Sequence, residues 1–225
     1  MKNLHTFFIV ATLTVVFGCQ ETKDAAVAKR DLTYYKNVGH QITVETGQRW
    51  IDTYNEANGI ESGRLTLSPY AIDADHLEEA VASVPDLLGV GFHHAIDDNG
   101  VHHFIIIPVT TSFDLWSSVP ERIYLDANND AEISRTEARE WAQRYEAAHP
   151  NEVWYHFFGK TIFEQIPTIP FFETLNIVPA LNDLDLSPQL LLIILNDGNL
   201  LGGRMKGDGS VVYDASSPCP PCPVP

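Results

Sequence analysis

The feature that most constrains this chain is an internal echo. Ile42-Thr43, Trp50 and Tyr54-Asn55-Glu56-Ala57 return as Ile133-Ser134, Trp141 and Tyr145-Glu146-Ala147-Ala148. Positions 42, 50 and 54 map onto 133, 141 and 145, a constant offset of 91. With a slightly shorter offset, Leu77-Glu78-Glu79 is echoed by Phe163-Glu164-Gln165, and Phe92-His93-His94-Ala95-Ile96-Asp97-Asp98 by Ile177-Val178-Pro179-Ala180-Leu181-Asn182-Asp183. A fixed order of matches in two halves implies one supersecondary unit used twice.

Each half reads as an amphipathic helix, a shorter helix and two strands joined in a hairpin. In the first half the helices are expected near Val44–Glu56 and Ala74–Ser83 and the strands near Val90–Ile96 and Val101–Val109. Asp97-Asp98-Asn99-Gly100 supplies the turn, because Asn and Gly accept positive φ. The second half predicts helices near Arg135–Ala148 and Lys160–Ile166, strands near Thr174–Leu181 and Gln189–Asn196, and an extra strand at Val211–Tyr213. The expected fold class is α+β: two tandem ααββ repeats forming one antiparallel sheet of four to five strands packed by helices. Trp50 with Tyr54, and Trp141 with Tyr145, stand four apart on one helix face and are expected in the core.

The ends of the chain differ in character from this body. Met1 to His5 is polar with one firm positive charge, Lys2, and Thr6 to Phe17 is almost wholly apolar or small, the layout of a secretory signal. Val16-Phe17-Gly18-Cys19 resembles the lipobox of bacterial lipoproteins, with Phe17 bulkier than usual. The resemblance implies cleavage before Cys19, a diacylglycerol on its thiol and attachment of the protein to a membrane through that lipid. Gln20 rather than Asp after the cysteine then implies sorting to the outer membrane or cell surface. The expected organisation is a signal peptide at 1–18, a polar tether at 19–36, one globular domain at 37–216 divided into halves at 37–118 and 119–216, and a Pro/Cys tail at 217–225.

Removing Lys2 leaves 13 basic against 30 acidic side chains, a net of −17. Such a surface repels nucleic acid and anionic headgroups, so DNA and RNA are not expected partners. With Cys19 lipidated, Cys219 and Cys222 remain as a candidate disulfide in Ser217-Pro218-Cys219-Pro220-Pro221-Cys222-Pro223. Redox catalysis is disfavoured there, since Pro223 and Pro225 prevent the helix that would lower a thiol pKa.

One segment carries recognisable ion chemistry. Asp126-Ala127-Asn128-Asn129-Asp130-Ala131-Glu132-Ile133-Ser134-Arg135-Thr136-Glu137 resembles the calcium loop of the EF-hand family. The resemblance implies ligands at Asp126, Asn128, Asp130, Glu132 through its carbonyl, Ser134 and Glu137, so calcium is the expected cofactor. Ala131 replaces the family's glycine, the segment before Asp126 reads as extended rather than helical, and the first half has no such loop. Ser134-Arg135-Thr136-Glu137 is also a helix capping box, which needs no metal.

The first hairpin carries His93-His94 and His102-His103, one of each pair on each sheet face. Whether His94 meets His102 or His103 depends on the turn length. Taken together, the lipobox, the W-x-x-x-Y helix and the Cys/Pro tail resemble functionally unassigned lipoproteins of Bacteroidetes-type bacteria. The expected function is a non-enzymatic binding or structural module of the envelope with a calcium site, its partner a protein or extracellular ligand. The alternative is a metal-dependent enzyme that uses the histidine hairpin and nearby carboxylates.

Overall fold

The computed structural model describes residues 31–60, 70–196 and 209–214, and the backbone of 217–219. The signal segment, Cys19 and Cys222 lie outside the described residues, as does the side chain of Cys219.

The fold is α+β with wholly antiparallel pairing. In chain order the elements are α1 (Leu32–Lys36), β1 (His40–Ile42), α2 (Val44–Ala57), β2 (Ala71–Asp73), α3 (Ala74–Ala82), β3 (Leu87–Ile96) and β4 (His102–Thr110). There follow β5 (Tyr124–Asp126), β6 (Ala131–Ile133), α4 (Arg135–Ala148), β7 (Tyr155–Gly159), α5 (Lys160–Gln165), a 3₁₀ turn (Ile166–Thr168), β8 (Thr174–Leu181), β9 (Pro188–Ile194), β10 (Val211–Asp214) and β11 (Ser217–Cys219).

The long helices start where side-chain caps are available. Thr43 Oγ1 accepts from Thr46 N at the head of α2, and Ser134 Oγ from Glu137 N at the head of α4. Each satisfies one of the four N–H groups that a helix leaves unpaired. Ala138, Ala142 and Tyr145 are buried at the three- and four-residue spacing of one helix face.

The expected single sheet is corrected to two. One has the order β1-β10-β9-β8-β2 and the other β11-β7-β3-β4-β5-β6. The reason lies in the hairpin strands, which are apolar on both faces. Phe92, Phe104 and Ile106 alternate with Ala95, Ile105 and Ile107, and Ile177, Leu190 and Leu192 alternate with Val178, Leu191 and Ile193. A helix layer covers only one face, so the other must meet a second sheet. Phe92, Phe104 and Ile106 therefore share a core with Leu175, Ile177, Leu190 and Leu192 between the sheets. Each such side chain, fully buried, contributes roughly 1.5–3 kcal/mol.

The outer faces are covered across the halves. Ile51 and Trp50 of α2 pack on Val178, Ala180 and Leu191 of the second hairpin, while Ala138 and Trp141 of α4 pack on Ala95, Ile105 and Ile107 of the first. Strands cross in the same way: β2 pairs with β8, and β7 with β3. The second sheet continues beyond β7 to β11, where the first ends at β2.

Two boundaries also shift. Tyr35, placed in the tether by its polar surroundings, is 3% exposed and packs on Phe157 and Phe113, so the fold has begun by α1. Ser217–Cys219 pairs with β7 and so belongs to the sheet rather than to a separate tail. Gly91 is required by close approach: a Cβ there would run into the Tyr155 ring on β7.

Candidate functional site

The hairpin β3–β4 pairs His94 with Phe104, Ala95 with His103 and Ile96 with His102. Alternation then sends His94 and His102 to one face and His93 and His103 to the other. His94 meets His102, Nδ1 to Nε2, at 2.9 Å. His102 Nδ1 in turn lies 2.6 Å from Tyr70 Oη. The phenol, the two imidazoles and the bonds between them form a chain that ends on His94.

Aromatic rings enclose this chain. Tyr145 of α4 stacks on His94 with ring centres 4.8 Å apart, and His149 stacks on Tyr145 at 4.4 Å. His156 of β7, opposite Phe92 in the register, brings its ring centre to 5.8 Å from that of His94. Burial disfavours the charged imidazole: His94 is held well below the usual histidine range, His102 at about 4 and His156 at about 3. Burial also pushes the Tyr70 phenol up to about 12, so it keeps its proton.

On the opposite face each histidine has an acid. His93 Nε2 is 3.1 Å from Glu146 Oε1 of α4, and its Nδ1 is 2.7 Å from the His94 carbonyl. Both ring nitrogens thus face acceptors. His103 Nδ1 donates to Asp126 Oδ1 at 2.9 Å in a buried pair, and its ring packs on Trp141. Asp97 Oδ2 lies 3.7 Å from His103 Nε2.

These contacts place the calcium-loop residues. Asp126 closes β5 opposite Ala131 of β6, so residues 127–130 form a hairpin turn, with Asp130 at φ 48°. No helix precedes the loop; β5 does. The Asp126 carboxylate accepts from His103, from Asn128 N at 3.0 Å and from Asn129 Nδ2 at 2.6 Å. Asn128 Nδ2 donates to the His102 carbonyl. Asp130 Oδ1 accepts from Asp73 N at 3.1 Å and pairs with His76 Nδ1 at 2.9 Å. Ser134 caps α4, and Glu132 and Glu137 are exposed.

The three inward candidates, Asp126, Asn128 and Asp130, thus serve three separate sets of protein donors and acceptors. Among the described residues no group of three or more His, Cys, Asp or Glu side chains is arranged to hold a metal ion. The loop does join the halves: Asp130 holds the start of α3, and Ala71 N donates to the Ala127 carbonyl at 2.9 Å.

The four hairpin histidines are visible in the sequence, whereas His156, Tyr70 and the Asp126–His103 pair are not. The order Tyr155-His156-Phe157-Phe158 contained a signal, a histidine inside an apolar strand, but its pairing with β3 crosses the halves.

A second feature lies between the shorter helices of the two halves. Leu77, Val81 and Ala82 of α3 face Phe163, Ile166 and Phe172 across an apolar cleft of about 210 Å³, with Glu78 at its lining. No family model, no curated protein and no solved structure matches the chain. Among the described residues no helix is long and apolar enough to cross a membrane.

Proposed function

We propose that this chain is a lipid-anchored module of the bacterial outer membrane or cell surface whose domain binds a ligand through an apolar group, without catalysis. The observation that carries the binding reading is the cleft between α3 and α5. Small-molecule sites are concave, mostly apolar, and favour junctions between structural units. This one lies where the second helix of one half meets that of the other, lined by Leu77, Val81, Phe163 and Phe172. Val16-Phe17-Gly18-Cys19 supports the anchor.

Titration of the full chain with an environment-sensitive apolar dye tests the cleft. Ala82→Trp, at an exposed position on its lining, fills the space and is expected to weaken dye binding at least tenfold with an unchanged melting temperature. Equal binding by the variant defeats the reading. The anchor is tested separately by metabolic labelling with a fatty-acid analogue, which Cys19→Ala should abolish.

Calcium at residues 126–137 belongs to the same proposal as a stabilising ion. It requires Asp126 to exchange His103 and Asn129, and Asp130 to exchange His76, for the cation. Calcium titration of the full chain, with the exposed ligand variant Glu137→Ala as control, decides whether that exchange occurs.

A further inference from the structure

We propose that His94 and His102 form a site for a borderline divalent transition metal of the zinc and copper class, with Tyr70 as its outer support. Two imidazole nitrogens, His94 Nδ1 and His102 Nε2, point at each other 2.9 Å apart, with ring centres 5.1 Å apart. On one tetrahedral zinc with bonds of about 2.0–2.1 Å, two imidazoles hold their nitrogens roughly 3.3 Å apart and their ring centres about 5 Å apart. To admit the ion the nitrogens move apart by a few tenths of an ångström and both rings turn by roughly 35°, so that lone pairs now aimed at each other converge on one point.

The tautomer that coordination needs has a partner in place. When His102 Nδ1–H donates to Tyr70 Oη, Nε2 carries the lone pair, the arrangement by which outer groups orient ligating histidines. In that state His94 Nδ1–H donates to His102 Nε2, so coordination through Nδ1 moves the His94 proton to Nε2 as the ion takes the place of the hydrogen bond. Both side chains keep part of their surface exposed.

Imidazoles without a carboxylate select nitrogen-preferring ions over calcium and magnesium. The site has two protein ligands as it stands, with His156 the nearest further ring, and leaves positions open to water or to donor atoms of a ligand. That open coordination separates it from a closed structural zinc site. The site is independent of the apolar cleft.

The test uses the full chain loaded with one equivalent of Cu²⁺ or Zn²⁺ alone. Electron paramagnetic resonance of the copper form is expected to show two or three coordinated nitrogens. Zinc affinity, read by chelator competition, should fall at least tenfold in His94→Gln and in His102→Gln. It should fall about 10–100-fold in Tyr70→Phe, which touches no metal. The surface variant His76→Gln should leave it unchanged. The site is overturned by one nitrogen or none on copper, or by equal zinc affinity in wild type and Tyr70→Phe. Because wild-type spectra and Tyr70→Phe affinities suffice to decide, the outcome does not depend on whether a histidine variant folds.

Discussion

His94, His102 and His156 have folded pKa values below the roughly 6.5 of an unfolded chain, because burial penalises the imidazolium. Their contribution to stability is complete above about pH 6.5. It is lost as pH falls through that value toward about 4 for His102 and about 3 for His156, at about 1.4 kcal/mol per pH unit for each histidine that stays neutral only when folded. The midpoint of urea unfolding should therefore drop steadily from about pH 7 to 4.5, and His102→Asn should flatten that slope. His76 is shifted the other way, raised first by its hydrogen bond to Asp130. Its contribution is complete below about pH 6.5 and lost as pH rises through the raised value. Burial would raise Asp130, but its hydrogen bonds from His76 and Asp73 outweigh that and lower it, so the same contact is also lost in acid. His76→Ala is expected to lower the melting temperature at about pH 5.5 and to have little effect at about pH 9. The hairpin's face assignment was legible in the sequence because alternation is geometric; the Tyr70–His102 and His103–Asp126 contacts were not, because they join residues 32 and 23 positions apart through tertiary packing.

Among the elements, long periodic segments were readable and short paired ones were not. α4 spans Arg135–Ala148 and β8 Thr174–Leu181, as periodicity and turn chemistry predicted. β1, β2, β5 and β6 have three residues each, too few to show alternation, and exist because longer strands offer them an edge. The loop from β8 to β9 shows strain that a sequence pattern does not reveal. Leu186 has φ 58° and is 62% exposed, so a bulky residue occupies the left-handed region without gaining much burial. Asn tolerates that conformation, and Leu186→Asn should stabilise the protein by about 0.5–1 kcal/mol in urea unfolding. The loop is otherwise well held: Asp183 pairs with Arg49 at 2.9 Å and accepts from Trp50 Nε1 at 2.8 Å. The Trp50 ring therefore sits at the rim of its cluster, half-buried, rather than inside the core. In the opposite sense, Gly91→Ala must push the Tyr155 ring aside, and should cost about 1–3 kcal/mol by the same measurement.

At the scale of the whole molecule, the echo in the sequence pointed to two halves but not to how they interlock. Offsets report which segments correspond; they carry no information on which half's sheet a helix covers. α2 seats on β8 and α4 on β3, while β2 and β7 extend the other half's hairpin. Fragments 31–118 and 119–225 should each be unfolded alone by circular dichroism and should regain native ellipticity when mixed. Native melting by either fragment alone would show that the crossing is dispensable. The crossing also sets a schedule for the growing chain. When α2 leaves the ribosome its apolar face has no surface to settle on, because β8 and β9 lie more than a hundred residues downstream. The early part must wait, unfolded, for nearly the last part to arrive. If the chain is exported as proposed above, crossing a membrane as an extended thread, that wait would keep it threadable until the crossing is complete.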